Sequence, residues 1–490
     1  MATLSSALNY AMSGLTNAGG LSALTARNVS NAENPGYSRR SAEIISLPGG
    51  GVSLSSISRS ADKRLLEKLL ASTSVASGQS ATLEGLTRLG ALVGDPASDS
   101  SIAALLAGVQ SRLRDFEANP ASSLLAEGVV HAATSVVAAL NAGEDEIQSI
   151  RRDADLAMGE SVGKVNTLLS QFKIVNDAIV RGSGTAAELN DNLDERDRVL
   201  KLLSEELGIR TMTRANNDIA IYTEGGVTLF ETSARRVAFT PSGAFAPGVT
   251  GGGVTVDGVG IVGGGTAMAS TSGRLPALAG LRDHVAVTVQ SQFDEIARGL
   301  VAIFSESDQQ DPALLPDVGG LFVDGANPAV AQADIATAGL AGRISVNTLA
   351  VPLHGGNPFL IRDGGFGGPA YVYNTASAGS FQSRIGQLQS GFDAARSFDA
   401  GTGLGEAGSL LMFSASSSGW IEQRRAAADT SAEAGRAQQA RSAQALLRKT
   451  GVNIDEEMAT ILDLERSYQA SSKIIAAVDA MLGSLMEAIR

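Results

Sequence analysis

Ile454-Asp455-Glu456-Glu457-Met458-Ala459-Thr460-Ile461-Leu462-Asp463-Leu464 opens the stretch on which the fold turns. Across it Ile454, Met458, Ile461, Leu464, Tyr468, Ser471, Ile475, Val478, Leu482, Leu485 and Ile489 recur at steps of three and four. That spacing keeps one stripe of a helix apolar over many turns and predicts a coiled-coil seam from about 455 to 488. Asn453 fits the N-cap, and Asp455, Glu456 and Glu457 then lie in the first turn, where the helix dipole favours negative charge.

The N-terminus mirrors this pattern. No charged residue occurs between Ala2 and Ala26, while Leu4, Leu8, Ala11, Leu15, Ala18, Ser22 and Val29 recur at heptad-like spacing. Its other faces carry Ser, Thr, Asn, Ala and Gly where a surface helix would carry Lys and Glu, which suits close contact with several neighbours. A single seam cannot offset the backbone entropy of ordering two such helices, so ends that pair only with each other are marginal in a free chain. Contacts from other copies would close the difference; the alternative is a terminal helix docked on its own domain.

Asn34-Pro35-Gly36-Tyr37 must end the first helix by about Ala32. Proline excludes its predecessor from helical geometry, and Gly36 suits the positive φ of a type II turn. Residues 37–47 and 52–57 then read as a hairpin across a turn at 48–51.

At 490 residues the chain has room for two to four domains at roughly 100 to 200 residues each. With 44% hydrophobic and 18% charged residues it is globular, and its net charge of −13 argues against a nucleic-acid or anionic-membrane partner. The absence of cysteine excludes disulfides and thiolate chemistry. No Lys or Arg precedes Arg27, so a cleaved signal peptide is not expected. The longest nearly uncharged stretch, 237–273, is too broken by Gly and Pro to span a membrane.

The interior reads as helices at 65–70, 83–92, 102–116, 129–150, 156–179 and 188–207, short strands over 209–272, and a helix at 275–305. A Gly/Pro-rich segment follows at 306–375, then helices at 380–388 and 416–450. The fold class is therefore mainly α with a smaller β part: paired terminal helices in a coiled-coil-like domain (1–58 with 450–490, hairpin 37–57) and a larger, elongated α domain (59–305 with 376–449). That second domain carries the β element 209–272 and the insert 306–375.

Enzyme readings fail on local chemistry. Gly258-Val-Gly-Ile-Val-Gly263 matches a dinucleotide fingerprint, but Gly264, Gly265, Gly273 and Pro276 leave no helix after it. Residues 159–164 lack the first glycine and the final Ser or Thr of a phosphate loop and read as helix. His131, His284 and His354 have no second histidine at helical spacing, so no metal is expected. Glu144-Asp145-Glu146 and the acids of 191–197 read as solvated helix faces with local ion pairs, and Trp420 as a helix anchor in a core. No catalytic residue and no cofactor is expected.

The stretch Asn31-Ala32-Glu33-Asn34-Pro35-Gly36-Tyr37 resembles the N-terminal signature of flagellar rod, hook and hook-associated proteins. Gly451-Val-Asn-Ile-Asp-Glu-Glu457 through Tyr468-Gln-Ala470 resembles their C-terminal signature. Tyr37-Ser38-Arg39-Arg40 and Gly51 to Arg59, with Asp62, Leu65 and Leu66, resemble the hook-associated members more than rod or hook proteins. The family more often reads Asn-Thr-Pro-Gly-Tyr, and Arg27-Asn28-Val29-Ser30 is a loose version of its Asn-Asn-Ile-Ala.

The resemblance implies a structural subunit outside the cell, joining hook to filament by helical self-assembly of its ends and required for filament assembly and motility. The packing residues would be Leu4, Leu8, Leu15, Val29, Ile454, Ile461, Leu464, Tyr468, Ile475, Val478, Leu482 and Leu485. It implies hook protein as one partner, a second junction protein or flagellin as another, and an export chaperone on the C-terminal helix, with type III export and no cleaved signal. Many relatives carry an outer β domain, which the short insert 306–375 would reduce or omit. The alternatives are another axial subunit, rod or hook, and a secreted Gly-rich adhesin or enzyme.

Overall fold

A computed structural model describes residues 2–47, 51–93, 101–182, 184–325 and 337–488. Helix α1 (Ala2–Ser30) leads into an antiparallel hairpin of β1 (Arg40–Ser46) and β2 (Val52–Arg59), paired from Arg40↔Arg59 to Ser46↔Val52 with a bulge at Glu43/Ile44. The expected turn at 48–51 lies largely outside the described residues.

The body begins with α2 (Lys63–Val93) and α3 (Ile102–Ala118), each longer than its apolar periodicity shows. In α2 the small residues Thr73, Ser74 and Ala76, between the two expected helices, are buried and keep one helix continuous. Helix α4 (Ser123–Arg181) is also a single element of 59 residues where two helices are expected. The charges at 151–155 do not break it, because Arg151 and Asp155 are fully buried and partnered. Arg151 reaches the carbonyls of Arg282 (3.1 Å) and Ala246 (3.2 Å); Asp155 pairs with Arg282 and accepts from Ser242 N (2.6 Å).

Helix α5 (Ala186–Glu206) opens on a Thr185/Glu188 capping box and precedes two three-stranded antiparallel sheets. These are β3 (Ile209–Thr213), β4 (Ile219–Thr223) and β5 (Thr228–Phe230), then β6 (Val237–Ala238), β7 (Val254–Val256) and β8 (Val259–Val262). The glycines of the dinucleotide look-alike fall in this second sheet, where Asp257 and Gly258, both at positive φ, make the β7–β8 turn.

Helix α6 (Arg274–Gly280) passes through a π-helical segment, Leu281–Val285, into α7 (Ala286–Phe304). The insert 306–375 holds β9 (Phe322–Asp324), α8 (Leu340–Arg343), β10 (Ile344–Val346) and α9 (Leu360–Asp363), and it packs back on α4 and α7. Next come α10 (Ser383–Asp393), the strand pair β11 (Arg396–Ser397) and β12 (Ala407–Gly408), α11 (Leu410–Thr450) and α12 (Ile454–Ala488).

One core joins Leu106, Leu113, Phe116, Leu140, Phe172 and Phe293, all at most 1% exposed. Among the described residues only α4 is long and apolar enough to cross a membrane, and its apolar face (Val129, Val136, Leu140, Ile147) is spent on that core. Trp420 is half-buried, with Arg424 stacked 4.6 Å from its ring centre.

Candidate assembly surface and its polar joint

Asn28 sits beside Glu457, and Gly14 beside Ser471, so α1 and α12 run antiparallel. A Cβ on Gly14 would stand 3.0 Å from Ser471 Oγ, which explains why small residues serve this line of contact. The hairpin is strapped along α1, with Asn17 Nδ2 donating to the Val52 carbonyl and Val52 N to Ser13 Oγ (3.3 Å).

The expected packing residues divide into two groups. Leu4, Leu8, Leu15, Val29, Ile461, Leu464 and Ile475 are half-buried, and Val478 is buried. Ile454 (47%), Tyr468 (49%) and Leu482 (38%) are exposed. The Leu485 side chain and Ile489 lie outside the described residues. Flanking the seam, Met458, Leu462, Ile474, Met481 and Met486 of α12, with Tyr10 and Met12 of α1, add further exposed apolar surface. The chain's own contacts therefore cover only one strip of the pair, and the remainder mixes these exposed apolar side chains with charged ones such as Asp463 (78%) and Arg466 (81%).

Among the signature-turn residues, Asn34, Pro35 and Gly36 are exposed and Tyr37 is buried. The turn is not type II: Gly36 does not take a positive φ. Asn34 Oδ1 accepts Gly36 N (3.1 Å) and the Asn34 carbonyl accepts Tyr37 N (3.0 Å), so the asparagine side chain closes the bend that glycine is expected to provide. The bend delivers Tyr37 to the interior, where its hydroxyl donates to Asn28 Oδ1 (2.8 Å).

Asn28 is the centre of a polar joint that the sequence reading missed. It is 1% exposed and uses its full capacity. Oδ1 accepts from Tyr37 and from Arg40 N (3.0 Å), while Nδ2 donates to the Arg40 carbonyl (2.9 Å) and Glu457 Oε2 (3.1 Å). Glu457, expected only to complement the helix dipole, is buried and also accepts Arg39 Nε (2.6 Å).

The acids of 191–197 are only in part a solvated face: Asp191 is exposed and Glu195 pairs locally with Arg198, but Asp194 and Asp197 are drawn into the joint. Asp194 accepts Arg40 Nη2 (2.6 Å), Arg59 Nη1 (2.9 Å) and Ser38 Oγ (2.8 Å); Asp197 takes Arg59 (2.7 Å) and Asp191 takes Arg27 (2.7 Å). The Arg40 guanidinium lies 4.8 Å from the Tyr37 ring centre, which faces a cation whose Nε and Nη1 have no hydrogen-bond partner. Burial raises the Asp197 carboxyl above its usual range against the opposing pull of Arg59, and burial likewise raises the Tyr37 phenol. The joint thus ties both terminal helices and the hairpin to α5 of the body.

Among the described residues no three His, Asp or Glu side chains converge as a metal site requires.

Residues 86–322 match the family model described as flagellar hook-associated protein FlgK helical domain, and residues 443–488 the one described as flagellar basal body rod FlgEFG protein C-terminal. Flagellar hook-associated protein 1 of Salmonella typhimurium is 25% identical over 253 residues, covering 49% of this chain and 45% of that protein. The same protein of Escherichia coli is 25% identical over 253 residues, covering 49% and 46%. The chain therefore spans about half the length of the curated relatives it matches. The flagellar hook junction protein FlgK from Burkholderia pseudomallei is similar in structure with a TM-score of 0.43 and 19% identity, over 53% of this chain and 47% of that one.

Proposed function

We infer that this chain, a member of the flagellar hook-associated protein family, is a structural subunit that joins hook to filament by helical self-assembly of its terminal helices. The observation that carries this reading is the set of uncovered apolar side chains on α12, Ile454, Met458, Leu462, Tyr468 and Ile474, exposed on the helix that pairs with α1. Copies related by a rotation and a rise make contacts that do not close, so they build a tube or a segment of one. In that lattice residues 1–58 and 450–490 face inward, and the body carried by α2 to α11 faces outward.

The polar joint gives the assembly its geometry. Because Asn28, Arg40, Arg59, Asp194 and Glu457 hold the base of the helix pair on α5, helix packing in the lattice also sets the direction of the body. Hook protein meets the subunit on one side and a second junction protein or flagellin on the other. A chaperone on the apolar face of α12 before export would satisfy the same surface that assembly later buries.

A deletion strain tests the role: hooks without filaments and unpolymerised flagellin in the medium are expected. Intact filaments in that strain would remove the junction reading.

A further inference from the structure

Two buried acids hold the segment 337–346 against the body. Asp294 on α7, 3% exposed, accepts Gly339 N and Ala341 N, each at 2.8 Å. Glu144 on α4, 5% exposed, packs its stem on Gly342, where a Cβ would stand 2.7 Å from Glu144 Cγ.

The two oxygens of Glu144 differ. Oε1 accepts Gln148 Nε2 (2.8 Å), a donor shared with Gln290 Oε1 (2.9 Å), while Oε2 is buried with no hydrogen-bond partner. One turn earlier, Asn141 gives its Nδ2 to the Ile344 carbonyl (3.4 Å), which leaves its Oδ1 buried and equally without a partner. Two orphaned acceptors thus stand three residues apart on the side of α4 that meets α8 and β10. A carboxylate only accepts; a carboxylic acid also donates, so one proton on Glu144 supplies the donor this corner lacks.

We propose that Glu144 is protonated while 337–346 is docked and that this proton is a latch, whose loss loosens α8 and β10 from α4. The groups facing Glu144 pull both ways. From α4 come Asp145, Gln148 and Arg151, from α7 Gln290 and Asp294, and Arg343 of α8 acts on Asp294. Burial lifts the Glu144 carboxyl from 4.5 to about 7, against the bond from Gln148 and the Arg151 cation and with help from the Asp294 and Asp145 charges. Burial also lifts Asp294, to about 6, and the amides of Ala341 and Gly339 hold it below Glu144.

The sign follows from linkage. The docked carboxyl titrates above the undocked one, so docking is tightest at low pH, weakens as pH climbs between the two values, and levels off above the higher of them. Amide hydrogen exchange of 337–346 in the full chain, corrected at each pH for intrinsic exchange, is the test. Protection should fall by about fivefold between pH 6 and 7, where the docked carboxyl becomes half ionised, and level off above about pH 8. In E144Q, where the side chain keeps a donor but cannot ionise, the fall between pH 6 and 7 should largely vanish, leaving the limb at lower pH that Asp294 contributes. Asn141→Ala, which removes the neighbouring orphaned acceptor of this corner, should move the falling limb to lower pH and keeps the test decisive if E144Q does not fold. Protection independent of pH in the unsubstituted chain, an unchanged fall in E144Q, or an unmoved limb in Asn141→Ala would overturn the latch.

Discussion

Asn28 and Gly36 stand eight positions apart around the same bend and carry opposite burdens. Asn28 satisfies four hydrogen bonds in a buried joint, so Asn28→Ala orphans the Tyr37 hydroxyl, both backbone groups of Arg40 and part of Glu457. Leaving buried polar groups unpaired costs about 1 to 3 kcal/mol each, with partial relaxation, so a loss of about 3 kcal/mol in urea unfolding is expected. Gly36 adopts no positive φ, and a Cβ there would meet Asn34 Oδ1 at 3.5 Å, an ordinary contact. Gly36→Ala should therefore stay within about 0.5 kcal/mol in the same measurement. A large loss at Gly36 and none at Asn28 would place the constraint in the turn rather than in the joint.

At the scale of elements, the antiparallel pair of α1 and α12 divides stability from assembly. Leu15 and Ile475 are half-buried in the free chain, so a charge at either disturbs few of its own contacts. In a lattice where neighbouring copies close over the same seam, an unpaired carboxylate is strongly unfavourable. Leu15→Asp and Ile475→Asp should each leave the unfolding of the body within about 1 kcal/mol while blocking incorporation, scored as loss of swimming when the variant replaces the normal gene. Normal assembly of both would show that this seam is not the packing surface.

At the scale of the whole molecule, order should be graded from the joint outwards. Residues 27–40 and the start of α12 are tied to the body by Asn28, Arg39, Arg40 and Glu457, whereas 4–15 and 474–486 rest on each other and, at Ser13, on the hairpin. Few buried contacts and solvent-facing backbone bonds imply low local stability. Amide exchange of the free chain should show protection that is highest beside the joint and decays toward both distal ends, rising there only on assembly. Uniform protection along α1 and α12 in the isolated chain would remove the need for neighbours.

The sequence alone determined the mainly α class, both terminal helices, the Asn453 cap, the hairpin and the look-alike status of the Gly258–Gly263 run, because periodicity, capping and turn chemistry act within a few residues. The unbroken α4 and the joint required the tertiary structure. Arg40 meets Asp194 across 154 positions and Asn28 meets Glu457 across 429. An acid such as Asp194 or Glu144 looks in sequence like any solvated helix residue, since nothing local records which partner arrives to bury it. Burial of a charge depends on a group brought from elsewhere in the chain; only the fold decides which face is closed by its own chain and which is left for another copy.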